Sequence, residues 1–309
     1  MSFKVIGIGE VLWDILPGGK QLGGASANFA YHAQMLGAEA WLISRVGNDL
    51  LGSEILERLC AMQMPSECVE MDPAAPTGTV SIELSSDGHP NFSIRENVAW
   101  DHIAASEYAR KMVAQADVVC FGSLAQRHEI SRATIQSLVA STRAEALRIF
   151  DANLRQNFFS LEVIETSLQL ANVLKLNDEE LPVLAKFFGL SGGTEEQIAE
   201  LARRFDLRLV ALTCGAHGSL FYSQGTYSLA KGLPARVVDT VGAGDSFTAM
   251  LAMGLLAGWE LDRINRRANE VAAYVVSQPG AMPKLPAHLC LFQAFSLSAG
   301  PGRCISQEI

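Results

Sequence analysis

Asp239-Thr240-Val241-Gly242-Ala243-Gly244-Asp245 runs directly into an uncharged apolar stretch from Ser246 to Trp259. The stretch is too short to span a bilayer and reads as a core helix over Ser246 to Ala257. The two glycines let the backbone turn tightly and come close to a ligand. The first N–H groups of a helix have no partner within it, so the amides of Gly242, Ala243, Gly244 and Asp245 make an anion site that the helix dipole reinforces. Asp245 lies in the same turn, where the dipole favours its carboxylate form. The plainer alternative is an Asp that merely complements a helix N-terminus. The second Asp six residues upstream and the Gly-Ala-Gly spacing argue against it.

Other residues could do chemistry in combination. Gly23-Gly24 precedes a predicted helix from Ala25 to Leu36, with Phe29, Ala33 and Leu36 on one stripe and Gly37 as its stop. Asn28, one turn in, donates and accepts at once, which suits sugar hydroxyls, although an exposed helical Asn would look the same. Asn177-Asp178-Glu179-Glu180 reads first as a capping box, with Pro182 arguing against a helix there because it lacks an N–H. Arg155 follows the predicted strand that ends at Asp151, and an arginine in that place can fork onto a phosphate or a substrate oxygen. Arg95, at the end of a predicted hairpin, is a candidate of the same kind. For both, an exposed surface arginine is the bland alternative.

These motifs together resemble the ribokinase-like (PfkB) family of sugar and nucleoside kinases. Asp239–Asp245 resembles its C-terminal signature. Gly23-Gly24-Ala25-Ser26-Ala27-Asn28 resembles its N-terminal sugar site, and Arg45-Val46-Gly47-Asn48-Asp49-x-x-Gly52 its Gly-x-Asp-x-x-Gly stretch. Lys175-x-Asn177-x-x-Glu180 and Thr213-x-Gly215-x-x-Gly218 resemble two nucleotide-side motifs. Five motifs in family order span nearly the whole chain. The resemblance implies an ATP-dependent sugar kinase with Asp245 as base and the Gly242–Asp245 amides on the transferring phosphoryl group. It implies that Asp14, Gly23, Gly24, Asn28, Arg95 and Arg155 meet the sugar. Lys175, Asn177, Thr213, Gly215, Gly218 and Asn269 would meet the nucleotide. Asn177 and Glu180 would hold Mg2+ through water, as befits an ion that keeps its hydration shell. Asp239 and Val241 would serve a monovalent cation such as K+. Arg95-Glu96-Asn97-Val98-Ala99-Trp100-Asp101 and Asp151–Arg155 look most like fructokinases. Fructose to fructose 6-phosphate is therefore the first expectation, followed by 2-keto-3-deoxygluconate and then ribose. An inactive sugar-binding regulatory protein on the same scaffold is the alternative from another class, and the intact Asp245 turn argues against it. Homodimers through the lid are common in the family.

The elements that must carry these residues are legible as an α/β alternation. Buried-type strands are predicted at Lys4–Gly9, Trp41–Val46, Val118–Gly122, Arg148–Asp151, Val173–Leu176 and Leu209–Thr213, rich in Val, Ile and Leu as strands covered on both faces are. Helices lie between them, one over Thr194 to Phe205. The expected architecture is a ribokinase-like three-layer α/β/α sandwich with a mostly parallel sheet, forming one domain over 1–309. Two segments break the alternation. Leu12–Leu22 is too long for an ordinary βα turn and reads as a loop. Residues 78–100 hold a hairpin, Gly78–Leu84 and Asn91–Arg95, joined through Asp87-Gly88 and Pro90. Both read as a small lid. The tail, 298–309, reads as loosely held.

Composition narrows the class further. The 309 residues are 49% hydrophobic and 18% charged, with a net charge of −9. Such a chain can build a core, and without a Lys/Arg cluster it repels nucleic acid. No Cys or His spacing suits zinc, and Cys120 and Cys214 read as buried thiols. The N-terminus lacks signal-peptide shape, so a reducing, cytoplasmic setting is expected. Gly7-Ile8-Gly9 begins like a dinucleotide fingerprint, but Leu12 replaces the third glycine, and no P-loop motif is present.

Overall fold

The computed structural model describes residues 2–84 and 90–290. Its main sheet contains β1 (Lys4–Ile8), β4 (Glu39–Gly47), β5 (Val69–Asp72), β8 (Val118–Gly122), β9 (Leu147–Asp151), β10 (Val173–Asn177), β11 (Leu209–Thr213), β12 (Gly218–Ser223) and β13 (Thr226–Lys231). The order is β13-β12-β11-β10-β9-β8-β1-β4-β5. From β11 to β5 all pairs are parallel, and β12 and β13 add an antiparallel edge.

Alternate strand residues face opposite cores, which is why both faces must be apolar. Ile6, Ile8, Val119, Phe121, Leu174 and Leu176 pack on one side, with α3 (Glu107–Ala114), α4 (Glu129–Ala140), α5 (Leu161–Leu170), α6 (Glu180–Phe188) and α7 (Thr194–Arg204). Val5, Val118, Cys120, Ile149, Val173 and Leu209 pack on the other, against α1 (Ala25–Met35), α8 (Ala243–Leu256) and α9 (Leu261–Val275). Helix α8 is buried from Ser246 through Gly254. A third cluster joins α1 to α2 (Leu50–Ala61) and to the lid through Trp13 and Leu22, with Trp13 Nε1 donating to the Leu51 carbonyl at 3.0 Å.

The six predicted core strands are present with ends shifted by a residue or two, and the three-layer sandwich holds. The segment 12–22 is not a loop. It forms β2 (Leu12–Leu16) and β3 (Gly19–Gly23), an antiparallel hairpin in which β2 also pairs in parallel with β6 (Thr79–Leu84). With β7 (Pro90–Ile94) these make a separate sheet of order β3-β2-β6-β7. Asp14 inside the short apolar LWDIL of β2 hid it, as did a partner, β6, over sixty residues away in the chain. The connection through Asp87-Gly88 and the tail 298–309 lie outside the described residues. Pro182 sits in the first turn of α6, where its missing N–H would have no helical acceptor, so it does not oppose the helix. Cys120 is buried, but Cys214 is only half-buried, because β11 ends at Thr213 and the chain turns outward there. No helix among the described residues is long and apolar enough to cross a membrane.

Candidate functional site

The site residues converge at the carboxyl ends of β1, β9, β10 and β11, the edge where open parallel sheets place their ligands. Gly242 delivers the chain into α8. Its φ is 80°, and a Cβ there would lie 2.4 Å from the Ala281 carbonyl oxygen, so only glycine fits. Helix α8 begins at Ala243, three residues earlier than expected, which makes Asp245 its third residue. The Ala243 N–H makes a long 3.4 Å contact to the Thr240 carbonyl. The amides of Gly242, Gly244 and Asp245 have no partner among the described residues. The anion cradle therefore has three open donors.

Asn28 reaches the cradle from the other end of the chain. It is buried, and its Nδ2 donates to Asp245 Oδ2 at 2.7 Å across 217 positions. Its Oδ1 is buried without a partner. Helix α1 can begin at Ala25 because Gly24, at φ 107°, passes over β1's exit, where a Cβ would meet the Glu10 carbonyl oxygen at 2.4 Å. The Ala25 N–H donates to Glu10 Oε1 at 3.0 Å. Sequence reasoning missed Glu10. Its signal was an acid directly after a buried strand and two glycines, Gly7 and Gly9.

Four carboxyls here sit above their ordinary range, Glu180 through burial against the charge of Lys175, and the three that follow. Burial lifts Glu10 from 4.5 to about 7, against the hydrogen bond from Ala25. Burial lifts Asp14 from 3.8 to about 6, with Asp239 adding to it. Burial and then Asp151 lift Asp245 to about 6, opposed by the Asn28 hydrogen bond. The helix dipole was expected to favour the Asp245 carboxylate, and burial beside a second acid outweighs it. The charge of Arg155, an exposed side chain, opposes the rise at Glu10, Asp14 and Asp245. Asp14 is on β2, with its carboxylate against Gly23 of β3.

Beneath the cradle lies a buried ion pair. Lys175 Nζ donates to Asp151 Oδ1 at 3.0 Å, and Thr248 Oγ1 to Asp151 Oδ2 at 3.0 Å. Lys175 sits under Gly244 and does not line an open groove. Burial would lower its ammonium pKa, but Asp151 and Glu180 hold it above its usual value. Asn177 and Glu180 form the capping box expected. Asn177 Oδ1 accepts from Glu180 N at 2.8 Å, and Glu180 Oε2 accepts from Asn177 N at 2.8 Å. Glu180 Oε1 accepts from Leu154 N at 2.8 Å, which also fixes the loop that carries Arg155.

The remaining expected residues are more dispersed. Thr213 Oγ1 donates to the Leu176 carbonyl at 3.3 Å. Gly215 and Gly218 form the turn into β12, and Asn269 Nδ2 binds Ser219 Oγ at 2.6 Å, tying α9 to β12. Asp239 accepts from Val241 N at 3.0 Å and from Gly280 N at 3.1 Å. Arg95 is exposed beyond β7, with its carbonyl held by Arg127. Among the described residues no three His, Cys, Asp or Glu side chains gather to hold a metal directly. The oxygens of Asn177 and Glu180 already accept backbone N–H groups, so they fit a metal held through water better than one they ligate directly.

Residues 18–288 match the family described as pfkB family carbohydrate kinase. A fructokinase of Klebsiella pneumoniae is 31% identical over 304 residues, covering 93% of this chain and 97% of that protein. A sugar kinase of Pyrococcus horikoshii is 30% identical over 270 residues, covering 85% and 83%. The crystal structure of the latter in complex with ATP superposes with a TM-score of 0.78 at 29% identity, over 90% of this chain and 94% of that one. A fructokinase of Vibrio cholerae O395, in a form bound to fructose, ADP and calcium, gives 0.76 at 26%, over 93% and 97%. With the Gly-Ala-Gly-Asp cradle and the Asn28–Asp245 contact in place on this fold, the chain belongs to the pfkB family of carbohydrate kinases.

Proposed function

We propose that this kinase transfers the γ-phosphoryl group of ATP to a hydroxyl of fructose, forming fructose 6-phosphate and ADP. The observation that carries the reading is the 2.7 Å contact between Asn28 and Asp245. It brings a sugar-type amide and a proton acceptor together beside three open amides. In this reading the sugar oxygen attacks the γ-phosphorus as its proton passes to an Asp245 carboxylate oxygen. The bond from phosphorus to the bridging oxygen breaks, and ADP leaves with that oxygen. The Gly242, Gly244 and Asp245 amides meet the charge on the phosphoryl oxygens, and positioning supplies most of the rate. Asp14 and Asn28 hold sugar hydroxyls, and Arg95 and Arg155 close over them. Thr213, Gly215, Gly218 and Asn269 border the nucleotide, and Lys175 acts from beneath. Mg2+ supplies charge neutralisation on the phosphates, with Asn177 and Glu180 holding its waters. Asp239 and Val241 offer oxygens to K+.

The carboxyl cluster bears on the substrate. Glu10, Asp14, Asp239 and Asp245 make an acidic surround that Arg155 only partly offsets. A neutral ketose suits it better than the carboxylate of 2-keto-3-deoxygluconate. Coupled detection of ADP across fructose, ribose, glucose and 2-keto-3-deoxygluconate, with NMR of the product, tests this. Fructose should give the highest kcat/KM, and a preference for the keto acid would overturn the substrate assignment while leaving the kinase intact.

A further inference from the structure

Arg127 belongs to none of the motifs above, yet it lies where the lid meets the body. It follows β8 in the turn that leads into α4. Its side chain is 7% exposed and forks onto Asp101, which is 2% exposed. Nε donates to Oδ1 at 2.7 Å and Nη2 to Oδ2 at 2.8 Å. Nη2 also donates to the Arg95 carbonyl at 2.6 Å. The flat guanidinium lies over Trp100, 4.0 Å from its ring centre, and over Phe158, 4.7 Å away. Two of these contacts lead to candidate sugar residues, and a third leads to the lid. Arg95 is the first residue beyond lid strand β7. Phe158 closes the loop that holds Arg155, with its N–H donating to the Arg155 carbonyl at 3.0 Å. Trp100 underlies Gly78, whose carbonyl accepts from Trp13 N at 3.1 Å in lid strand β2.

We propose that Arg127 is a positioning residue that sets Arg95 and Arg155 together over the sugar, from the hinge between lid and body. A buried fork roughly breaks even against apolar packing, so stability alone does not account for it. Its Nη1 stays buried without a partner among the described residues, as does Trp100 Nε1. A cluster tuned for stability alone would satisfy these donors or replace them. Only arginine can fork, stack on two rings and hold a carbonyl at once; lysine offers a point charge.

This inference rests on the sugar-site reading above, and the test separates the two. Steady-state kinetics would be run on the full chain with the sugar that the panel identifies. Arg127→Lys keeps the charge and should raise the sugar KM about tenfold or more, with the ATP KM changed less than about twofold. In an Arg155→Ala background that rise should shrink, because the two substitutions act through one contact chain. Leu201→Ala, buried in α7 far from the lid, is the control: it should lower Tm with no change in sugar KM. If Arg95→Ala and Arg155→Ala leave the sugar KM unchanged, the sugar-site reading fails. If they raise it and folded Arg127→Lys does not, or if Arg127→Lys raises both KM values equally, the positioning role fails. Should Arg127→Lys not fold, Phe158→Leu decides the matter through the Arg155 arm. A sugar KM rise of about threefold that vanishes in the Arg155→Ala background supports the proposal, and full additivity overturns it.

Discussion

Strands β1 and β4 are neighbours, with an acid two residues beyond the end of each, Glu10 after Gly9 and Asp49 after Asn48, but the two acids have opposite circumstances. After β4, Asp49 accepts from Gly52 N at 2.8 Å, Thr77 N at 2.8 Å and Thr77 Oγ1 at 2.6 Å. Burial alone would raise its pKa, but those hydrogen bonds bring it below the ordinary value. Asp49 caps α2 and anchors the chain that enters the lid at β6. After β1, Glu10 is buried with a single backbone donor from another residue, Ala25, and its carboxyl rises to about 7. Asp245 beside it is held by one amide. An acid whose lone pairs are filled by N–H groups is a structural element. An acid left with open lone pairs in a dry place is free to exchange a proton, and at Glu10 and Asp245 burial outweighs the few hydrogen bonds that would lower the pKa.

The largest expected effect lies on the side of the open acids. Asp245→Asn keeps the shape and can still accept from Asn28, so Tm should hold, while kcat should fall at least about a hundredfold because proton acceptance is gone. The pH profile sharpens this. With its carboxyl at about 6, wild-type kcat/KM should decline as pH falls through that value. Retention of most activity in a folded Asp245→Asn protein would remove it from the base role.

Glu10→Gln probes the same side through stability. A folded-state pKa of about 7 against 4.5 unfolded means that the folded protein holds the proton more tightly. The penalty is absent below about pH 4.5 and grows as pH rises through 7, to an upper bound of roughly 3 kcal/mol. Glutamine keeps the acceptor for Ala25 and removes the charge. The variant should therefore gain stability at pH 8 and gain nothing at pH 4, which urea denaturation at the two pH values would show. Equal stability at both would mean that Glu10 is solvated and the contrast with Asp49 is false.

The smallest effect is expected on the structural side. Asp49→Ala removes a cap and two links to Thr77 and should lower the unfolding free energy by about 1–2 kcal/mol, read from urea denaturation. At 25 °C its kcat and KM values should stay near wild type. A large loss of kcat without loss of stability would move Asp49 into the chemistry and erase the distinction.

Much of this protein was determined locally. The Val/Ile/Leu-rich strands, the Gly37 stop of α1, the Asn177–Glu180 capping box and the Gly-Ala-Gly-Asp turn each depend on a few consecutive residues, because backbone geometry and helix-end hydrogen bonding act over one turn. The unbroken apolar runs of β1 and its neighbours also implied that both sheet faces are covered. Other features were decided only by tertiary structure. β2 becomes a strand because β6 supplies its partner. Lys175 turns inward because Asp151 waits there, and Asn28 meets Asp245 because α1 and α8 pack side by side. The raised carboxyls of Glu10, Asp14 and Asp245 belong to the same class. A pKa depends on how much water and which charges surround a group, and those neighbours come from segments hundreds of residues apart that meet only when the sheet is assembled.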